Sequence, residues 1–308
     1  MEKVCVVLST YNGQNYLDEQ IRSLLAQKNV DLTVLVRDDG SSDQTQDLLR
    51  QWNEKEASIQ ICEKDFGVNF GVAKSFIFLL NYAERMFPDI QYFFFCDQDD
   101  VWKDAKCFRA VQGLTKYRDR AALYFSRKKL VDGKLNPLDR EDIIRLHGDF
   151  WDYFDRSNAF GCTMCLTRPL AELLHDDRFY KKSFLHDNYI YRLCLAAGIP
   201  IIYDDAETIL YRQHGANVAG AAKRNVLRGI KRLFKFDRVP VVREMSEYLI
   251  AKHDSVLNSN YKRIIRLYLD SYKSWKSKLK LMNMYQKQRN RTMREKLLFD
   301  VSILLNYF

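Results

Sequence analysis

Proline and glycine are scarce in this sequence of 308 residues, which contains 5 prolines and 12 glycines. By contrast, apolar residues make up 47% of the chain, which is close to the average of globular proteins. Disordered and collagen-like chains contain more proline and glycine and fewer apolar residues, so both classes are excluded. The length is sufficient for one large domain or two smaller ones with a substantial buried core.

Long hydrophobic runs are also absent. No stretch reaches the roughly eighteen consecutive apolar residues that would indicate a membrane-spanning helix. The N-terminal run Val4–Leu8 is shorter than the hydrophobic region of a signal peptide. We therefore expect a cytoplasmic protein without a transmembrane helix.

Cysteine occurs at seven positions, an odd number, mostly within apolar runs: Cys5, Cys62, Cys96, Cys107, Cys162, Cys165 and Cys194. This pattern predicts small core side chains in a reducing compartment and not a disulfide framework. Cys162 and Cys165 form one CxxC pair. Because no second pair and no paired histidines follow at the spacing of a zinc site, zinc or redox chemistry there is disfavoured.

The net charge of +9 is distributed unevenly along the chain. Residues 219–308 contain 21 basic and 7 acidic residues, a net charge of +14, whereas residues 1–218 carry −5. This shift predicts an acidic body over 1–218 and a separate basic region over 219–308. Glycine is absent after Gly229 and proline after Pro240, while helical periodicity continues, so we expect the basic region to be helical.

The first hundred residues alternate between strand and helix patterns. Continuous apolar runs predict buried strands at Val4–Leu8, Leu32–Val36, Ile59–Cys62 and Gln91–Cys96. Apolar stripes at helical spacing predict intervening helices at Leu17–Leu25, Ser41–Lys55 and Val72–Met86. This order indicates an α/β fold, with a mostly parallel sheet, right-handed crossovers and helices on both faces.

The next hundred residues are less regular. We predict helices at Asp104–Tyr117 and His186–Ala197, and strands at Ala121–Ser126 and Ile199–Tyr203. The segment Leu130–Arg156 is polar and rich in aromatic residues, which indicates a long, partly irregular loop region. Loops of that length in a compact domain are usually functional.

Polar and acidic side chains follow three of the predicted strands, in the segments Ser9–Gly13, Arg37–Ser41 and Asp97–Asp100. Turn formation or helix capping would explain one such segment. Three of them favour a ligand site in the crevice at the carboxyl edge of the sheet. The carboxylates of Asp97 and Asp99 suit a hard divalent cation. Because the sequence has neither a Walker loop nor a G-x-G-x-x-G motif, P-loop enzymes and ordinary dinucleotide-binding proteins are excluded.

Together these segments resemble family 2 glycosyltransferases. The motifs that carry the resemblance are Val-Val-Leu-Ser-Thr-Tyr-Asn-Gly (6–13), Arg-Asp-Asp-Gly-Ser-Ser-Asp (37–43), Asn69-Phe70-Gly71, Cys-Asp-Gln-Asp-Asp-Val-Trp (96–102) and His186-Asp187. With Tyr-Arg-Gln-His-Gly-Ala-Asn-Val (211–218), they further resemble the bacterial rhamnosyltransferase-like branch, which builds surface polysaccharides such as capsules. The resemblance implies an inverting enzyme with a GT-A fold, in which residues 1–100 form the nucleotide-binding half, residues 101–218 the acceptor half and residues 219–308 a helical subdomain.

The resemblance also implies roles for single residues in the nucleotide site. Thr10, Tyr11 and Asn12 would surround the nucleobase and ribose, and Asp39 would accept a hydrogen bond from the N3–H group of a pyrimidine. Asp38 is the neighbour that could replace Asp39 in this role.

Further roles concern the diphosphate. Asp97 would approach the ribose or the water shell of the metal, and Asp99 would bind Mg²⁺ or Mn²⁺. His214 would complete the metal site or contact the diphosphate, and Arg212 would assist at the pyrophosphate. Lys74 would contact the nucleotide, although a solvated lysine on a helix is an equally good interpretation.

Asp187 matches the general base of the family, while His186 would position groups or contact the acceptor. An inverting transfer requires such a carboxylate beside the acceptor hydroxyl. Helix capping is the alternative for Asp187. Trp102 could stack on an acceptor sugar, as could the aromatic residues Phe150, Trp151, Tyr153 and Phe154. Buried packing is the better interpretation for at least half of these aromatic residues.

The basic region contains a candidate amphipathic helix, Ala222–Phe236, with Val226, Ile230, Leu233 and Phe234 on one stripe. A second stripe comprises Ile264, Leu267, Tyr268, Tyr272 and Trp275. Such helices either bind an anionic membrane surface or pack their stripe on the body of the protein. Nucleic-acid binding is disfavoured because the acidic body offers no basic groove and no binding motif is present.

The sequence therefore predicts an inverting glycosyltransferase that moves a sugar from a nucleoside-diphosphate donor to a hydroxyl of a lipid-linked glycan. The resemblance favours rhamnose from dTDP-rhamnose, with UDP-sugars and other hexoses open. The predicted location is the cytoplasmic face of the plasma membrane, reached through the basic helices. The alternatives are an inactive scaffold that binds nucleotide sugars and, less favoured, a nucleic-acid-binding protein.

Overall fold

The computed structural model describes residues 1–142, 144, 146–154, 159–175, 184–214 and 241–306. The chain divides into two compact units. The first unit comprises residues 1–144, 159–191 and 199–220, and the second comprises residues 145–158, 192–198 and 221–308. The division into functional domains and halves that the sequence suggests stays a prediction.

The first unit is built on an eight-stranded sheet with the order β3-β2-β1-β4-β7-β6-β8-β5. Its strands are β1 (Glu2–Thr10), β2 (Val30–Asp38), β3 (Ile59–Ile61), β4 (Tyr92–Cys96), β5 (Val101–Trp102), β6 (Leu123–Val131), β7 (Met164–Thr167) and β8 (Ile201–Arg212). Strands β3, β2, β1 and β4 are parallel to one another, and β6 is parallel to β8. Strand β7 is antiparallel to both β4 and β6, and β5 is antiparallel to β8.

Where the chain is described between residues 1 and 214, six helices accompany these strands: α1 (Leu17–Leu25), α2 (Thr45–Lys55), α3 (Val72–Met86), α4 (Lys106–Leu114), α5 (Arg168–Leu173) and α6 (His186–Ala197). The bounds of α3 and α6 agree with the prediction because residues that favour irregular backbone flank them. Gly71 precedes α3 with a φ of +78°, and Gly198 follows α6 with a φ of +69°.

The core explains why the central strands were recognisable in the sequence. Val4–Leu8 in β1 and Phe93–Cys96 in β4 are almost completely buried, as expected for strands covered on both faces. All seven cysteines are buried and have free thiols, which confirms their interpretation as core side chains. The α/β fold is thus confirmed.

Several elements differ from the prediction. Strand β8 continues to Arg212, well beyond the predicted Ile199–Tyr203, and β6 continues to Val131. Strands β5 and β7 and helix α5 were not predicted. The CxxC segment enters β7, where Cys165 pairs with Phe94 of β4. The segment Leu130–Arg156 is mostly irregular where it is described, with a short 3₁₀ turn at Phe150–Tyr153.

In the described residues of its C-terminal part, the second unit contains four helices: α7 (Val241–His253), α8 (Ser259–Ser271), α9 (Trp275–Gln286) and α10 (Met293–Leu304). Side chains cap three of them at their first turns: Asn258 at α8, Ser274 at α9 and Thr292 at α10, where Glu295 completes a capping box. The predicted helical character of this region is therefore confirmed. The candidate helix Ala222–Phe236 lies outside the described residues.

Aromatic side chains fill the interior of the second unit. The rings of Phe150 and Tyr261 stack at 4.4 Å, and those of Tyr285 and Phe299 stack at 3.8 Å. The residues Phe150, Trp151, Tyr153 and Phe154 are all buried, with at most 6% of each exposed. Their rings pack in the core, which corrects the alternative that they stack on acceptor sugars.

Within the described residues, none of the helices is both long enough and apolar enough to cross a lipid bilayer.

Candidate active site

Three loops meet at the carboxyl edge of the sheet, as the sequence predicts. Strands β1, β2 and β4 are parallel neighbours, so Thr10 lies beside Asp38 and Leu8 beside Cys96. Hydrogen bonds connect the loops that follow. The N–H of Asn12 donates to Ser41 Oγ at 2.8 Å, and the N–H of Tyr11 donates to Gln98 Oε1 at 2.8 Å.

Asp38 is fully buried and holds the turn after β2. Its carboxylate accepts hydrogen bonds from the N–H groups of Gly40 and Ser41 at 2.9 and 2.7 Å. It also accepts from Thr10 Oγ1 at 3.1 Å and Gln46 Nε2 at 2.9 Å. With its oxygens occupied in this way, Asp38 orders the loop after β2. Its ability to replace Asp39 at the nucleobase stays a prediction.

Asp39 connects β2 to the loop before α3. Its carboxylate forms an ion pair with Arg37 Nη1 at 2.8 Å. It also accepts hydrogen bonds from the N–H groups of Phe70 and Gly71 at 2.6 and 2.8 Å. The guanidinium of Arg37 lies 4.0 Å from the centre of the Phe70 ring. Arg37 is fully buried, and no role of its own in the site was predicted for it from the sequence.

The other predicted nucleoside contacts differ in accessibility. Thr10 is 1% exposed, whereas Tyr11 is 50% exposed. Asn12 has a φ of +49°, and its Oδ1 accepts from the N–H of Ser42 at 2.8 Å, so it shapes the loop. On α3, the Nζ of Lys74 lies 3.9 Å from the centre of the Phe70 ring.

Asp99 and His214, which are 115 positions apart in the chain, are in direct contact. His214 Nε2 lies 2.7 Å from Asp99 Oδ2, and both side chains are 16% exposed. The His214 ring also stacks on Tyr16 at 4.9 Å. A carboxylate oxygen beside an imidazole nitrogen is a donor pair that Mn²⁺ accepts, so these residues fit a divalent metal.

Other acidic groups surround this pair. Ligand atoms of Asp97, Asp100 and Cys162 lie within 4.8 Å of one another. Burial raises the pKa of Asp97 to about 7, and the nearby charges of Asp99 and Asp187 act in the same direction. Burial likewise raises the pKa of Asp100, whose Oδ2 has no hydrogen-bond partner among the described residues. A divalent cation would stabilise the charged form of this cluster.

Arg212 stabilises the loop that carries Asp99. Its guanidinium donates to the carbonyl of Asp99 at 2.8 Å, to the carbonyl of Gly133 at 2.6 Å and to Glu19 Oε2 at 2.5 Å. Only 2% of the residue is exposed. The predicted contact with the pyrophosphate is therefore corrected, because protein acceptors already hold all three nitrogens and orient the loop around Asp99.

Asp187 lies in the first turn of α6, with Oδ2 accepting from the N–H of Gly161 at 3.3 Å. Oδ1 accepts from the N–H of Asn188 at 2.6 Å. The negative charge of Asp187 contributes, after burial and the charge of Asp99, to the raised pKa of Asp97. The role of Asp187 as the base stays a prediction.

His186 and Trp102 are core residues, which corrects their predicted contacts with the acceptor or diphosphate. The His186 ring packs on Phe76 and Phe95 with ring centres 4.6 and 4.8 Å away, and burial lowers its pKa. Trp102 is 3% exposed and packs against Phe94. Neither ring offers a surface to a ligand, and sequence spacing alone does not reveal this burial.

Comparisons with known proteins identify the family of this chain. The family model described as Glycosyl transferase family 2 matches residues 5–174. The dTDP-rhamnosyl transferase RfbG of Shigella flexneri is 27% identical over 226 residues, which cover 70% of this chain and 74% of that protein.

Two solved structures show the same fold. S. aureus TarS 1–349, in complex with UDP-GlcNAc, superposes with a TM-score of 0.58 at 15% identity, covering 98% of this chain and 81% of that chain. The mannosyltransferase PcManGT from Pyrobaculum calidifontis, in complex with GDP-Man and Mn²⁺, superposes with a TM-score of 0.53 at 16% identity, covering 99% and 80%. The predicted GT-A fold is confirmed by these likenesses.

Proposed function

Since the chain belongs to glycosyl transferase family 2 and is therefore an enzyme that transfers a sugar from a nucleotide sugar, we propose an inverting, metal-assisted transfer to a glycan hydroxyl. The contact between Asp99 and His214 at 2.7 Å carries this proposal. The contact joins the loop after β4 to the segment after β8, and these two side chains would supply two ligands to a divalent cation. The charges of Asp99 and Asp187 both raise the pKa of Asp97, which supports a common acidic site.

The donor nucleotide occupies the loops after β1 and β2. Tyr11 provides an exposed ring for stacking on the nucleobase. Asp39 accepts from the base, and Thr10 and Asn12 shape the pocket around the ribose. Lys74 contacts the nucleotide through its ammonium group, and Asp97 faces the ribose or the water shell of the metal.

Asp99 and His214 would hold the divalent cation, Mg²⁺ or Mn²⁺. The chemistry that such a cation would supply is neutralisation of the charge on the departing diphosphate. Arg212 keeps the Asp99 loop in place through its hydrogen bond to the Asp99 carbonyl. The family likeness and the acidic surroundings both support this assignment.

Asp187 acts as the general base. Its carboxylate takes the proton from the acceptor hydroxyl as the hydroxyl oxygen forms a bond to the anomeric carbon. The bond between that carbon and the diphosphate oxygen breaks, and the electron pair leaves with the nucleoside diphosphate. Attack from the opposite face inverts the anomeric configuration. The N–H groups of Gly161 and Asn188 hold the Asp187 carboxylate in orientation.

The donor sugar is rhamnose, delivered as dTDP-rhamnose, and the acceptor is a lipid-linked glycan of a bacterial surface polysaccharide. The similarity to RfbG, a dTDP-rhamnosyl transferase, supports the choice of donor. The net charge of +14 in residues 219–308 supports action at the cytoplasmic face of the membrane, because anionic lipids attract basic helices.

Donor turnover by the purified chain tests the function. Wild type is incubated with dTDP-rhamnose, UDP-glucose or UDP-GlcNAc and Mn²⁺ or Mg²⁺, with water or a glycan as acceptor, and nucleoside diphosphate release is measured. We expect turnover of dTDP-rhamnose above the others and its loss with EDTA. Asp99→Asn and Asp187→Asn each reduce the rate at least about 100-fold, since each removes a charge used in the transition state.

Asp47→Asn, the same change on the exposed face of α2, is the matched control and leaves the rate unchanged. Preferred turnover of a UDP-sugar would refute the rhamnose assignment only. An Asp187→Asn variant with full activity would refute the proposed base. Donor binding without turnover under every condition would indicate an inactive nucleotide-sugar scaffold instead.

A further inference from the structure

Helix α10 presents an apolar surface to solvent, which we call the outer face. It consists of Met293 (78% exposed), Leu297 (64%), Leu298 (54%), Val301 (37%), Leu304 (38%) and Leu305 (58%), the residue that directly follows the helix. Met293, Leu297, Val301 and Leu305 recur every four residues and so form one continuous stripe. Contiguous exposed apolar surfaces of this kind mark sites of interaction with proteins or membranes.

The outer face is distinct from the side of α10 that enters the core of the second unit. Phe299 and Ile303, on the opposite side of the helix, are 3% and 1% exposed. The Phe299 ring stacks on Tyr285 of α9 at 3.8 Å. Helix α10 is therefore apolar on two sides, of which intramolecular packing covers one. Packing against the core requires apolar residues only on the inner side of a helix. The apolar residues of the outer face therefore need another explanation.

Several cationic residues lie close in the sequence to the residues of the outer face. Lys276, Lys280, Lys287, Arg289 and Arg294 are all exposed. Within the part of the chain that the structure describes, these five form no ion pair. Between residues 275 and 306 the chain contains eight basic and two acidic residues, and both acidic residues are partly covered. Helices that lie on an anionic lipid surface typically combine exposed cationic residues with exposed leucines.

The apolar stripe that begins at Ile264, which the sequence suggested as a membrane-binding surface, is largely buried. In α8, Ile264 is 8% and Tyr268 is 1% exposed, so this stripe packs inside the second unit. Its last member, Trp275, begins α9 and is 66% exposed, and Leu279, one turn later, is 59% exposed. Tryptophan with an exposed ring is typical of the membrane interface. The structure thus moves the candidate membrane surface from α8 to α9 and α10.

We propose that the outer face of α10, assisted by Trp275 and Leu279 of α9, docks on an anionic lipid bilayer. Its apolar side chains enter the boundary between headgroups and acyl chains, and the five cations contact lipid phosphates. A second copy of the chain is a poorer occupant, because pairing two outer faces would bring their unpaired cations together. The proposal rests on the proposed function, since a lipid-linked acceptor is confined to such a surface.

Vesicle cosedimentation of the full chain tests this proposal. The vesicles contain 30% phosphatidylglycerol in phosphatidylcholine, or phosphatidylcholine alone. We expect the wild type to bind the anionic vesicles at least about tenfold more tightly than the neutral ones, with binding weakened by salt. The variant Met293→Gln/Leu297→Gln/Leu305→Gln removes apolar surface without changing charge, and it binds at least about tenfold more weakly. Met86→Gln, at a residue 53% exposed on α3, is the control and binds like wild type.

Circular dichroism and thermal unfolding establish that the triple variant is folded, which is expected because the substituted side chains are exposed. Wild-type binding without a preference for anionic lipid, or an unchanged affinity of the triple variant, would overturn the proposal. Sedimentation velocity without vesicles provides a further outcome. A wild-type dimer that the triple substitution dissociates would identify a second copy as the occupant and overturn lipid docking.

Donor hydrolysis by the same samples separates this proposal from the proposed function. Substitutions in the outer face leave hydrolysis of the nucleotide sugar in solution unchanged, because these residues lie in the second unit and outside the loops of the active site. Hydrolysis without vesicle binding would refute only lipid docking. Vesicle binding without hydrolysis would refute only the proposed function.

Discussion

The side-chain amide of Gln98 pairs with the backbone of Tyr11 as if it were a peptide group. Gln98 Oε1 accepts from the N–H of Tyr11 at 2.8 Å, and Gln98 Nε2 donates to the carbonyl of Tyr11 at 2.8 Å. The absence of a side chain at Gly13 makes room for this amide, since a Cβ there would lie 2.2 Å from Gln98 Oε1. The residue between Asp97 and Asp99 therefore joins the proposed metal loop to the proposed nucleoside loop.

Replacing Gln98 with methionine preserves the length of the side chain and removes both hydrogen bonds. Each bond contributes roughly 1 kcal/mol, so the affinity for nucleoside diphosphate should fall about 5- to 30-fold, with KM rising more than kcat falls. Isothermal titration with dTDP, with and without Mn²⁺, measures this change. Gln60→Met, an exposed glutamine in β3, is the control. Equal affinity in Gln98→Met and wild type would show that the pairing has no influence on the site.

The burial of His186 leads to a prediction about stability. Both ring nitrogens lack a hydrogen-bond partner among the described residues, and the ring packs between Phe76 and Phe95. Because an apolar ring of similar shape avoids the cost of the unpaired nitrogens, His186→Phe should raise the free energy of unfolding by about 1 kcal/mol. Urea unfolding measures the change, and His175→Phe on the surface serves as the comparison. A loss of more than about 1 kcal/mol would indicate that the imidazole has a polar partner.

Arg291 is a buried cation of the second unit. Its guanidinium pairs with Asp149 at 2.9 Å and with Asp152 at 2.8 Å, and Asp152 is 3% exposed. Arg291→Met removes the guanidinium from the buried Asp152 carboxylate, which among the described residues keeps only His147 and the N–H of Gly148 as partners, and should cost about 3 kcal/mol. Chemical denaturation should show this loss, whereas Arg289→Met, at an exposed position nearby, should change stability by less than about 0.5 kcal/mol. Similar stabilities of the two variants would contradict the assigned role.

Asp204 should make the first unit sensitive to acid. Burial alone would raise its pKa, but hydrogen bonds from Arg109 and Tyr124 outweigh burial and hold the pKa below its ordinary value. A lowered pKa in the folded state stabilises the protein above the ordinary aspartate pKa of about 4, and this contribution is lost as the pH falls below it. Asp204→Asn should therefore reduce stability at pH 7 and flatten its decline between about pH 5 and pH 3.

Urea unfolding across this pH range tests the prediction, with Asp31→Asn, an exposed aspartate in β2, as the matched control. A parallel decline of Asp204→Asn and wild type would show that the Asp204 carboxylate contributes nothing to acid sensitivity.

Local sequence patterns were sufficient for the elements whose burial is continuous. Strand β4 is recognisable because Phe93–Cys96 is buried on both faces. The length of strand β8 was underestimated because its acidic residues, including Asp204 and Glu207, are more typical of a loop than of a strand. They are compatible with a strand only because Arg109 and Arg127 neutralise them from distant positions. Such partners become visible only in three dimensions.

The same limit applies to the candidate site. The placement of Asp99 could be predicted from the end of a buried strand, and the family resemblance indicated His214. Their contact at 2.7 Å could not be predicted without the fold, because it depends on β8 running beside β6, which brings His214 to this edge. Arg212, His186 and Trp102 were assigned ligand contacts by motif, but burial decides their roles. Motifs identify chemistry-bearing residue types, whereas burial decides which side chains a substrate can reach.

The anomeric configuration of the product tests the central claim most directly. The enzyme is incubated with dTDP-rhamnose, Mn²⁺ and a soluble acceptor, and proton NMR determines the configuration of the new glycosidic bond. A single displacement assisted by Asp187 predicts a product of opposite anomeric configuration to the donor, and Asp187→Asn lowers its rate of formation. A product that retains the donor configuration would contradict the account.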